Sequence, residues 1–252
     1  MIKVLINGCN GRMGQVLCSE IDEFENLLLT CGFDINDIGK NSFPVYSNVN
    51  NILETPDVIV DFSIPIATLN ILDYAVKNKI AMVIATTGFT DSEQHKIEEA
   101  AKIIPIFKSS NMSFDICLMK KIVAEVAKAL NKNDIEIVET HHNKKIDAPS
   151  GTAISLADAI NDALGNTKKY IFDRHSVHEK RNPDEIGFSS IRGGNIVGEH
   201  SVQFFGEHES FEVKHTSYSR NVFAEGALKA CEFIYDKPCG KIYTMEDMVD
   251  MI

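Results

Sequence analysis

Residues 139–153 combine proton-exchanging side chains with a predicted helix start. The segment reads Glu-Thr-His-His-Asn-Lys-Lys-Ile-Asp-Ala-Pro-Ser-Gly-Thr-Ala. The imidazoles of His141 and His142 exchange protons near neutral pH, and Lys145 adds a positive charge. Ser150 is a favourable N-cap for the helix that the periodic apolar residues after it predict. Because the free N–H groups of a helix start bind carboxylates and phosphates, the segment predicts an anion site beside an acid/base group, which suits a small, acidic, unsaturated substrate.

A glycine-rich turn near the N-terminus indicates a dinucleotide site. The predicted buried strand at residues 4–6 is followed by Gly8, Gly11 and Gly14, and a helical pattern then runs over residues 15–24. In this context the glycines let the backbone approach a pyrophosphate, which faces the helix start. The spacing is G-x-x-G-x-x-G, not the commoner G-x-G-x-x-G, and many strand–helix turns need glycine only for a positive φ.

Asp34 directly follows the second predicted strand, residues 27–33, and lies about twenty residues past the last glycine. A carboxylate at this place accepts hydrogen bonds from the adenosine ribose of a nicotinamide dinucleotide. The following residues 35–37, Ile-Asn-Asp, offer no cation to a 2′-phosphate. We therefore expect NADH to be favoured over NADPH, unless a distant lysine such as Lys3 or Lys40 folds against the site.

Three further strands are predicted at residues 57–63, 81–84 and 104–107, and residues 91–94 predict a capping box for the helix before the last of them. Pro105 suits an edge strand or the first residue of a strand. The loops after the second and third of these strands contain Ala85, Thr86, Thr87, Ser109, Ser110, Asn111 and Met112. Because ligands bind at the carboxyl ends of parallel strands, we expect these loops to line the nicotinamide pocket, although polar residues also form ordinary turns.

The pattern of short alternating strands and helices stops near residue 113. The elements predicted after it are a helix at 114–130, strands at 135–140, 201–206 and 211–215, and a helix at 221–235. The last helix is expected to pack on the first part of the chain. The predicted fold class is therefore α/β, with a Rossmann-type dinucleotide-binding domain (residues 1–113 and 221–252) and an inserted α+β domain with a mixed sheet (residues 114–220).

The composition is that of a globular protein with an acidic surface. The chain has 252 residues, 44% of them hydrophobic, and a formal net charge of −11, which argues against nucleic acid or an anionic membrane as a partner. No apolar run is long enough to span a membrane, and no signal peptide is recognised. The six cysteines show no zinc-type spacing, so we expect reduced thiols and a cytoplasmic protein.

The sequence resembles the 4-hydroxy-tetrahydrodipicolinate reductase family over essentially its whole length. Residues 139–153 are the most specific part of the resemblance. The supporting motifs, in the family's order, lie at residues 8–14, 61–63, 85–89, 111–113 and 192–200. The resemblance implies an enzyme of lysine and diaminopimelate biosynthesis that reduces a cyclic two-carboxylate imine with hydride from NADH or NADPH.

The resemblance also implies roles for individual residues. It makes His141 and Lys145 the proton donors and assigns substrate binding to His142, Gly151 and Thr152. The implied cofactor contacts are Gly8, Cys9, Asn10, Gly11, Arg12, Met13, Asp34, Ala85, Thr86, Thr87, Ser109, Ser110, Asn111 and Met112. The residues leave open which of the two donors delivers the proton.

The family's architecture implies a homotetramer assembled through the sheet of the inserted domain, which also binds the substrate. It implies a domain closure as well, because cofactor and substrate bind to different domains. Some members carry an arginine directly after the acidic residue that aligns with Asp34, where this chain has Ile35. That departure argues against the use of NADPH.

Three other functions stay open on the residues alone. A relative of aspartate or homoserine dehydrogenase would share the dinucleotide motif, but the His-His-x-x-Lys segment before Asp-Ala-Pro-Ser-Gly-Thr argues against it. A nicotinamide-sensing protein would not need His141 or Lys145. A metal enzyme is disfavoured because adjacent histidines on one strand are poorly placed to bind a single ion, and we predict no metal.

Overall fold

The computed structural model describes residues 1–36, 41–176 and 178–251. They form two compact units, one of Met1–Ser113 with Asn221–Ile252 and the other of Phe114–Arg220. Asp37 and Lys40, which entered the cofactor expectation, lie outside the described residues.

The described chain is built from short strands and helices of ordinary length. The α-helices are α1 (Arg12–Glu20), α2 (Pro65–Asn78), α3 (Asp91–Ala101), α4 (Phe114–Ala129), α5 (Gly151–Ala163), α6 (Asn221–Ile234) and α7 (Met245–Val249). The strands are β1 (Ile2–Asn7), β2 (Leu27–Phe33), β3 (Val45–Tyr46), β4 (Val58–Asp61), β5 (Ala81–Ile84), β6 (Ile106–Lys108), β7 (Asp134–His141), β8 (Lys169–Ile171), β9 (Glu185–Arg192), β10 (Gly198–Phe205), β11 (Ser210–Ser217) and β12 (Ile242–Tyr243).

The first unit contains a seven-stranded parallel sheet with the order β12-β6-β5-β4-β1-β2-β3. From β3 to β6 this is the strand order of a Rossmann fold, extended by β12 at one edge. The order reverses between β1 and β4, and that switch point is where such sheets bind nucleotides. The predicted dinucleotide-binding architecture is confirmed.

The sheet forms because its strands are apolar on both faces. Leu5, Ile59 and Met82 are wholly buried and pack with Ile71 of α2 and Ile97 of α3. Burying one such side chain contributes about 1.5–3 kcal/mol. Helices therefore cover both faces of the sheet, and its carboxyl edge is left to the loops that carry polar groups.

Local predictions in this unit were right about type and wrong about some boundaries. The helix after the glycine turn begins at Arg12, three residues before its predicted start. The capping box of α3 consists of Thr90 and Glu93, one residue earlier than predicted, because Thr90 is the residue with extended backbone. Pro105 precedes β6, which lies between β5 and β12 and is not an edge strand.

The second unit contains a five-stranded sheet with the order β11-β10-β7-β9-β8. β7 pairs in parallel with β9 and antiparallel with β10, so the sheet is mixed, as predicted. One face packs on α4 and α5 through a core that includes Val123, Leu156, Ile137 and Val202. Ile191 on β9 is half-exposed on the opposite face.

Several short or polar elements were not predicted from the sequence. β9 contains Gly187, Ser189 and Ser190, which have little preference for strands, and it is held by its neighbours on both sides. β3 and β12 have only two residues each, too few for a periodic pattern. Their positions depend on the strands they extend, so tertiary context decides them.

Candidate active site

The segment at 139–153 joins the end of β7 to the start of α5. His141 is the last residue of β7, and α5 begins at Gly151. The Oγ atom of Ser150 accepts the N–H of Ala153 at 3.1 Å, which confirms Ser150 as the N-cap. The predicted histidines and the helix start thus lie in one unit.

Alternation along β7 directs a charged residue into the core. Ile135, Ile137, Glu139 and His141 face the helices, and the residues between them are less buried. The Glu139 side chain is only 1% exposed and His141 only 9%. A buried carboxylate needs strong partners, so its hydrogen bonds define the site.

Glu139 has partners from three elements. Its Oε2 atom lies 2.5 Å from Nδ1 of His141. Arg192, at the end of β9, donates Nη1–H to Oε2 at 2.8 Å and Nη2–H to Oε1 at 2.7 Å. The Ser150 N–H donates to Oε1 at 3.2 Å. This fork-like arginine–carboxylate pair is a strong and directional contact.

The charges of this cluster follow from burial and contact. Burial raises the pKa of Glu139, but hydrogen bonds from Arg192, Ser190 and His141 outweigh it and bring that pKa down to about 2. Burial lowers the pKa of His141, and the hydrogen bond to Glu139 acts in the opposite direction. Glu139 is therefore ionised at neutral pH, and the pKa of His141 lies below that of an ordinary histidine because burial outweighs the contact with Glu139.

A third histidine completes the buried cluster. Nε2 of His200, on β10, lies 2.9 Å from the Ser150 Oγ atom, and its ring meets that of His141 edge-on at 5.1 Å between centroids. Burial and the nearby His141 lower the pKa of His200 to about 4. His200 is therefore neutral and packs between strand and helix start.

Lys145 lies at the rim of the same cluster. Its Nζ atom is 2.9 Å from Oδ1 of Asp147, and its side chain is 20% exposed. Arg192 donates Nη2–H to the Asp147 carbonyl at 2.7 Å. The loop that carries Lys145 is thus tied to the same arginine that holds Glu139.

Two of the three predicted substrate-binding residues, Gly151 and Thr152, lie at the start of α5. Gly151 is exposed, and a Cβ atom added to it would meet no heavy atom within 4 Å. Thr152 is half-buried. His142 is also half-buried, and its N–H donates to the Ile196 carbonyl at 2.8 Å. The helix start and Lys145 together form a cationic rim suited to carboxylates.

The dinucleotide motif lies in the first unit, at a cavity of about 780 Å³. The lining residues are Asn7, Gly8, Gly11, Arg12, Met13, Phe33, Asp34, Ile35, Phe62, Ser63, Ile64, Ile66, Ala67 and Asn70. They come from the carboxyl ends of β1, β2 and β4 and from the starts of α1 and α2. The cavity therefore opens at the switch point of the sheet.

Two glycines of the turn are required by geometry. Gly8 has a φ of +78°, which favours glycine. A Cβ atom on Gly14 would lie 2.0 Å from the Gly8 carbonyl oxygen, so only glycine lets α1 pack against the turn. Asp34 accepts the N–H of Asn10 at 3.1 Å and that of Asn36 at 2.9 Å. Each oxygen keeps a lone pair for ribose hydroxyls.

The structure brings together only part of the predicted cofactor set. Gly8, Gly11, Arg12, Met13 and Asp34 line the cavity. Cys9 is wholly buried, and Asn10 is a half-buried residue of the turn itself whose backbone N–H donates to Asp34. The loops at 85–87 and 109–112 follow β5 and β6 at the same edge of the sheet and do not line this cavity.

A buried carboxylate that the sequence prediction missed supports this edge. Asp61 accepts hydrogen bonds from the side chains of Asn7 at 2.7 Å, Ser63 at 2.5 Å and Thr68 at 2.6 Å. Thr86, one of the predicted contacts, accepts the N–H of Ser63 at 3.0 Å. Burial raises the pKa of Asp61 against these bonds. The network fixes the ends of β1, β4 and β5 to one another.

Other kinds of site receive no support in the described part of the chain. It contains no group of three or more His, Cys, Asp or Glu side chains arranged to hold a metal ion. No helix within the described ranges is long and apolar enough to cross a membrane. None of the six cysteines forms a disulfide, and Cys239 is the exposed one.

Sequence reasoning gave no role to Glu139, Arg192 or His200, although all three occur in the motifs that carry the resemblance. One signal was available for Glu139: it continues the buried positions of Ile135 and Ile137 at a spacing of two. A carboxylate at such a position needs buried partners. Those partners come from β9 and β10, whose registers the sequence does not reveal.

Family models match almost the whole chain. The model for the N-terminus of dihydrodipicolinate reductase matches residues 2–112, and the model for its C-terminus matches residues 115–249. A 4-hydroxy-tetrahydrodipicolinate reductase of Caldanaerobacter subterraneus is 47% identical over 249 residues, covering 99% of this chain and 98% of the relative. One of Clostridium tetani is 43% identical over 251 residues, with the same shares covered.

Solved structures agree with this result. A dipicolinate-bound dihydrodipicolinate reductase from Paenisporosarcina sp. TG-14 matches with a TM-score of 0.80 and 26% identity over 100% of both chains. A probable dehydrogenase from Thermotoga maritima matches with a TM-score of 0.61 and 11% identity, over 99% of this chain and 93% of its own. The second match shows a shared fold only.

Proposed function

This chain belongs to the dihydrodipicolinate reductase family, and we propose on that premise that it catalyses the NAD(P)H-dependent reduction of 4-hydroxy-tetrahydrodipicolinate, through its dehydrated cyclic imine, to tetrahydrodipicolinate in lysine and diaminopimelate biosynthesis. The observation that carries the proposal is the cluster around Glu139, where His141 and Lys145 lie with an exposed helix start. The six free thiols fit a reducing compartment, so we place the reaction in the cytoplasm.

Substrate binding follows from the cationic rim of the second unit. A cyclic substrate with two carboxylates needs fixed donors at both. The N–H groups of Gly151 and Thr152 stand at the N-terminal end of α5, and His142 and Lys145 add side-chain donors. The dipicolinate in the related solved structure is a cyclic dicarboxylate of this kind.

Proton transfer is assigned to His141 and Lys145. Addition of hydride to a conjugated imine leaves an electron-rich atom that must be protonated. His141 has a ring nitrogen available opposite the one that contacts Glu139, and Lys145 carries three N–H groups. His141 ends β7 and Lys145 lies in the loop that follows, and both belong to one hydrogen-bonded cluster.

The cavity of the first unit fits a dinucleotide. Gly14 packs closely against the Gly8 carbonyl and Gly8 has a positive φ, so no side chain from either residue covers the backbone beside the start of α1. The Asp34 carboxylate presents lone pairs that its two backbone contacts do not use. When bound there, a reduced nicotinamide would supply the hydride. The phosphates would meet the N–H groups of α1, and the adenosine ribose would meet Asp34.

We assign NADH as the favoured cofactor. Ile35, which follows the ribose-binding acid, is 76% exposed and lines the cavity without any charge. A 2′-phosphate placed beside Asp34 would meet that carboxylate and no cation at position 35. Arg12 lines the same cavity and is the cation that a 2′-phosphate would have to recruit.

We also propose that the enzyme is a homotetramer joined through the sheet of the second unit. The helices cover one face of this sheet, and its other face carries the half-exposed Ile191 and the 41% exposed Phe205. An apolar sheet face of this kind is typical of an interface between copies of a chain.

A coupled assay tests the reaction. Condensation of pyruvate with aspartate semialdehyde by a synthase supplies the substrate, and oxidation of NADH and of NADPH is followed by absorbance. We expect wild-type enzyme to oxidise NADH, and His141→Gln to lower kcat by roughly 100- to 10,000-fold, the usual contribution of a general acid. Lys144→Ala, which alters the neighbouring exposed lysine, is the matched control for Lys145→Ala.

Two outcomes would contradict the proposal. Oxidation of neither cofactor by the wild type, with NADH binding intact, would remove the enzyme assignment in favour of a cofactor-sensing protein. Full activity of both His141→Gln and Lys145→Ala would keep the reaction and overturn the assignment of the proton donors.

A further inference from the structure

We infer that Glu139 is a positioning residue for the reaction: its carboxylate, clamped by Arg192, fixes the ring of His141 and the substrate-binding start of α5 in one arrangement. The inference rests on the proposed function and goes beyond it, because Glu139 touches neither substrate nor cofactor in the scheme above. It acts through the groups it holds.

The contacts show how one carboxylate can set several positions. Oε2 meets Nδ1 of His141 at 2.5 Å, and Oε1 accepts the Ser150 N–H at 3.2 Å. The reactive segment, residues 141–150, begins with the proton donor His141 and ends with the N-cap Ser150. Its two ends are therefore joined through the two oxygens of Glu139. Arg192 binds both oxygens and so prevents rotation of the carboxylate.

Arg192 extends the arrangement to the second donor. Its Nη2–H also reaches the Asp147 carbonyl at 2.7 Å, and the Asp147 carboxylate holds Nζ of Lys145 at 2.9 Å. The chain of contacts thus runs from His141 through Glu139 and Arg192 to Lys145. A shift of the carboxylate would therefore move both proton donors and the start of α5.

The carboxylate also selects the tautomer of His141. An ionised carboxylate only accepts hydrogen bonds, so Nδ1 of His141 carries the hydrogen in this contact. Nε2 is then the nitrogen that exchanges a proton with substrate. It faces Gly198, where an added Cβ atom would lie 3.1 Å away, so any larger residue there would crowd this nitrogen.

The transfer step balances with this tautomer. In the imidazolium, the Nε2–H bond breaks and its electron pair stays on Nε2. The proton bonds to the electron-rich atom that hydride addition has produced in the substrate. The ring is left neutral with Nδ1–H still donated to Glu139, ready to take up a proton from solvent.

Charged and titratable groups face His141 from every neighbouring element. They are Glu139 on its own strand, Arg192 on β9, His200 on β10, and Lys145 in the following loop. Burial, Lys145 and Arg192 lower the pKa of His141, and Glu139 raises it. Glu139 is therefore the neighbour that favours the imidazolium form of His141, against burial and the two cations.

The test compares two carboxylates of the same strand. Glu139→Gln keeps the shape of the side chain and removes its charge. Glu136→Gln is the matched control, because Glu136 forms ion pairs with Arg174 and Arg181 on the other face of β7, away from His141. The readouts are kcat and KM in the coupled assay, the pH profile of kcat, and the tautomer of His141 by ¹⁵N NMR of the imidazoles without substrate.

We expect Glu139→Gln to lower kcat by about 10- to 100-fold, as loss of a residue that orients a functional histidine does, and Glu136→Gln to leave it within twofold. The KM for NADH should not change. The loss of activity with rising pH, assigned to His141, should move to lower pH. The Nδ1–H tautomer should dominate in wild type and give way to a mixture in the variant.

Equal kcat in the two variants would overturn the inference. So would a lower kcat in Glu139→Gln with an unchanged pH profile and tautomer, because that pattern is structural damage alone. If this variant does not fold, Glu139→Asp retains the charge but withdraws it by one methylene, and an unchanged kcat there would equally overturn it. An inactive wild type would instead sink the proposed reaction, while the NMR tautomer still tests the positioning of His141.

Discussion

At the scale of single residues, one buried carboxylate and its arginine partner organise the site of the second unit. Glu139 is almost wholly buried and yet ionised, because Arg192 supplies two hydrogen bonds and a full opposite charge. Replacing one member of such a pair leaves an unpaired buried charge, a costly change of about 3–5 kcal/mol. The pair is therefore a constraint on the site as well as a source of its electrostatics.

We assign the choice of cofactor to one residue of the other unit, Ile35. We predict that Ile35→Arg raises the ratio of kcat/KM for NADPH over NADH by about 10- to 100-fold, because one charge-assisted hydrogen bond to a 2′-phosphate is worth about 1.5–3 kcal/mol. Ile35 is exposed and lines the cavity, so the substitution needs no repacking. Steady-state kinetics with both cofactors measures the ratio.

Ile35→Gln is the control for this change, since it lengthens the side chain without adding charge. It should leave the ratio of the wild type almost unchanged. A wild-type preference for NADPH would show that the assignment of NADH is wrong and that a cation elsewhere, such as Arg12, binds the 2′-phosphate.

The residues of the reactive segment were predictable because chemistry and spacing coincide there. His141, Lys145 and the Ser150 cap follow one another within ten residues, and the structure holds them in one cluster. Arg192 was not predictable as a partner of Glu139, since 53 residues separate them. Only the parallel pairing of β7 with β9 brings the two side chains together.

At the scale of elements, β10 contributes a histidine that couples the sheet to α5. His200 is 5% exposed, and its Nε2 atom contacts the N-cap side chain of the helix. Its neutral form is favoured in this buried position, whereas its cation would be desolvated and would lie near His141 and Lys145. Proton uptake by this ring therefore opposes folding.

The sign of the pH dependence follows from that pKa. The pKa of His200 is about 4 in the folded chain and 6.5 for an ordinary histidine, so the unfolded chain binds more protons between these values. We predict that the free energy of unfolding falls as pH drops from 6.5 to 4, by at most about 1.4 kcal/mol per pH unit from this residue. His141, also lowered, adds the same sign.

Denaturant unfolding at several pH values measures this slope. His200→Gln should flatten it, and His208→Gln should not, because the His208 side chain is 88% exposed. An identical slope in wild type and His200→Gln would show that His200 is not neutral in the folded chain or is not the residue that titrates.

Prediction of the strands succeeded where a strand is apolar on both faces. It failed where pairing with neighbouring strands determines the backbone conformation. β1, β4 and β5 read as continuous apolar runs and were predicted. β9, with its serines and glycine, was not. Its strand conformation depends on hydrogen bonds to both β7 and β8, which no local pattern encodes.

At the scale of the whole molecule, each unit holds one half of the chemistry. The first unit has the dinucleotide cavity and its own core, and the second has the Glu139 cluster and another core. A Rossmann-type domain and a second sheet in the inserted domain were predictable from alternation and periodicity, whereas the strand directions of that second sheet were not. The open apolar face of the second sheet was visible only once its register was known.

That open face yields a prediction about assembly. We expect wild-type protein to sediment at about four times the chain mass of 28.0 kDa, and the double variant Ile191→Glu with Phe205→Glu to dissociate. Burying a carboxylate in an apolar interface without a partner costs several kcal/mol. Analytical ultracentrifugation measures the masses.

Leu53→Glu is the control for this experiment, because Leu53 is 85% exposed and lies in the first unit. It should leave the mass unchanged. A monomeric wild type would contradict the tetramer, and a variant that keeps the wild-type mass would show that the interface lies on another surface.

The most direct test of the proposed reaction follows the hydride into the product. Enzyme is mixed with synthase-made substrate and NADH deuterated at the transferable C4 position, and the product is examined by mass spectrometry. We expect one carbon-bound deuterium per product molecule, formed at the same rate as NADH is oxidised. In His141→Gln this rate should be strongly reduced. A product without deuterium, or substrate left unreduced while NADH binds, would contradict it.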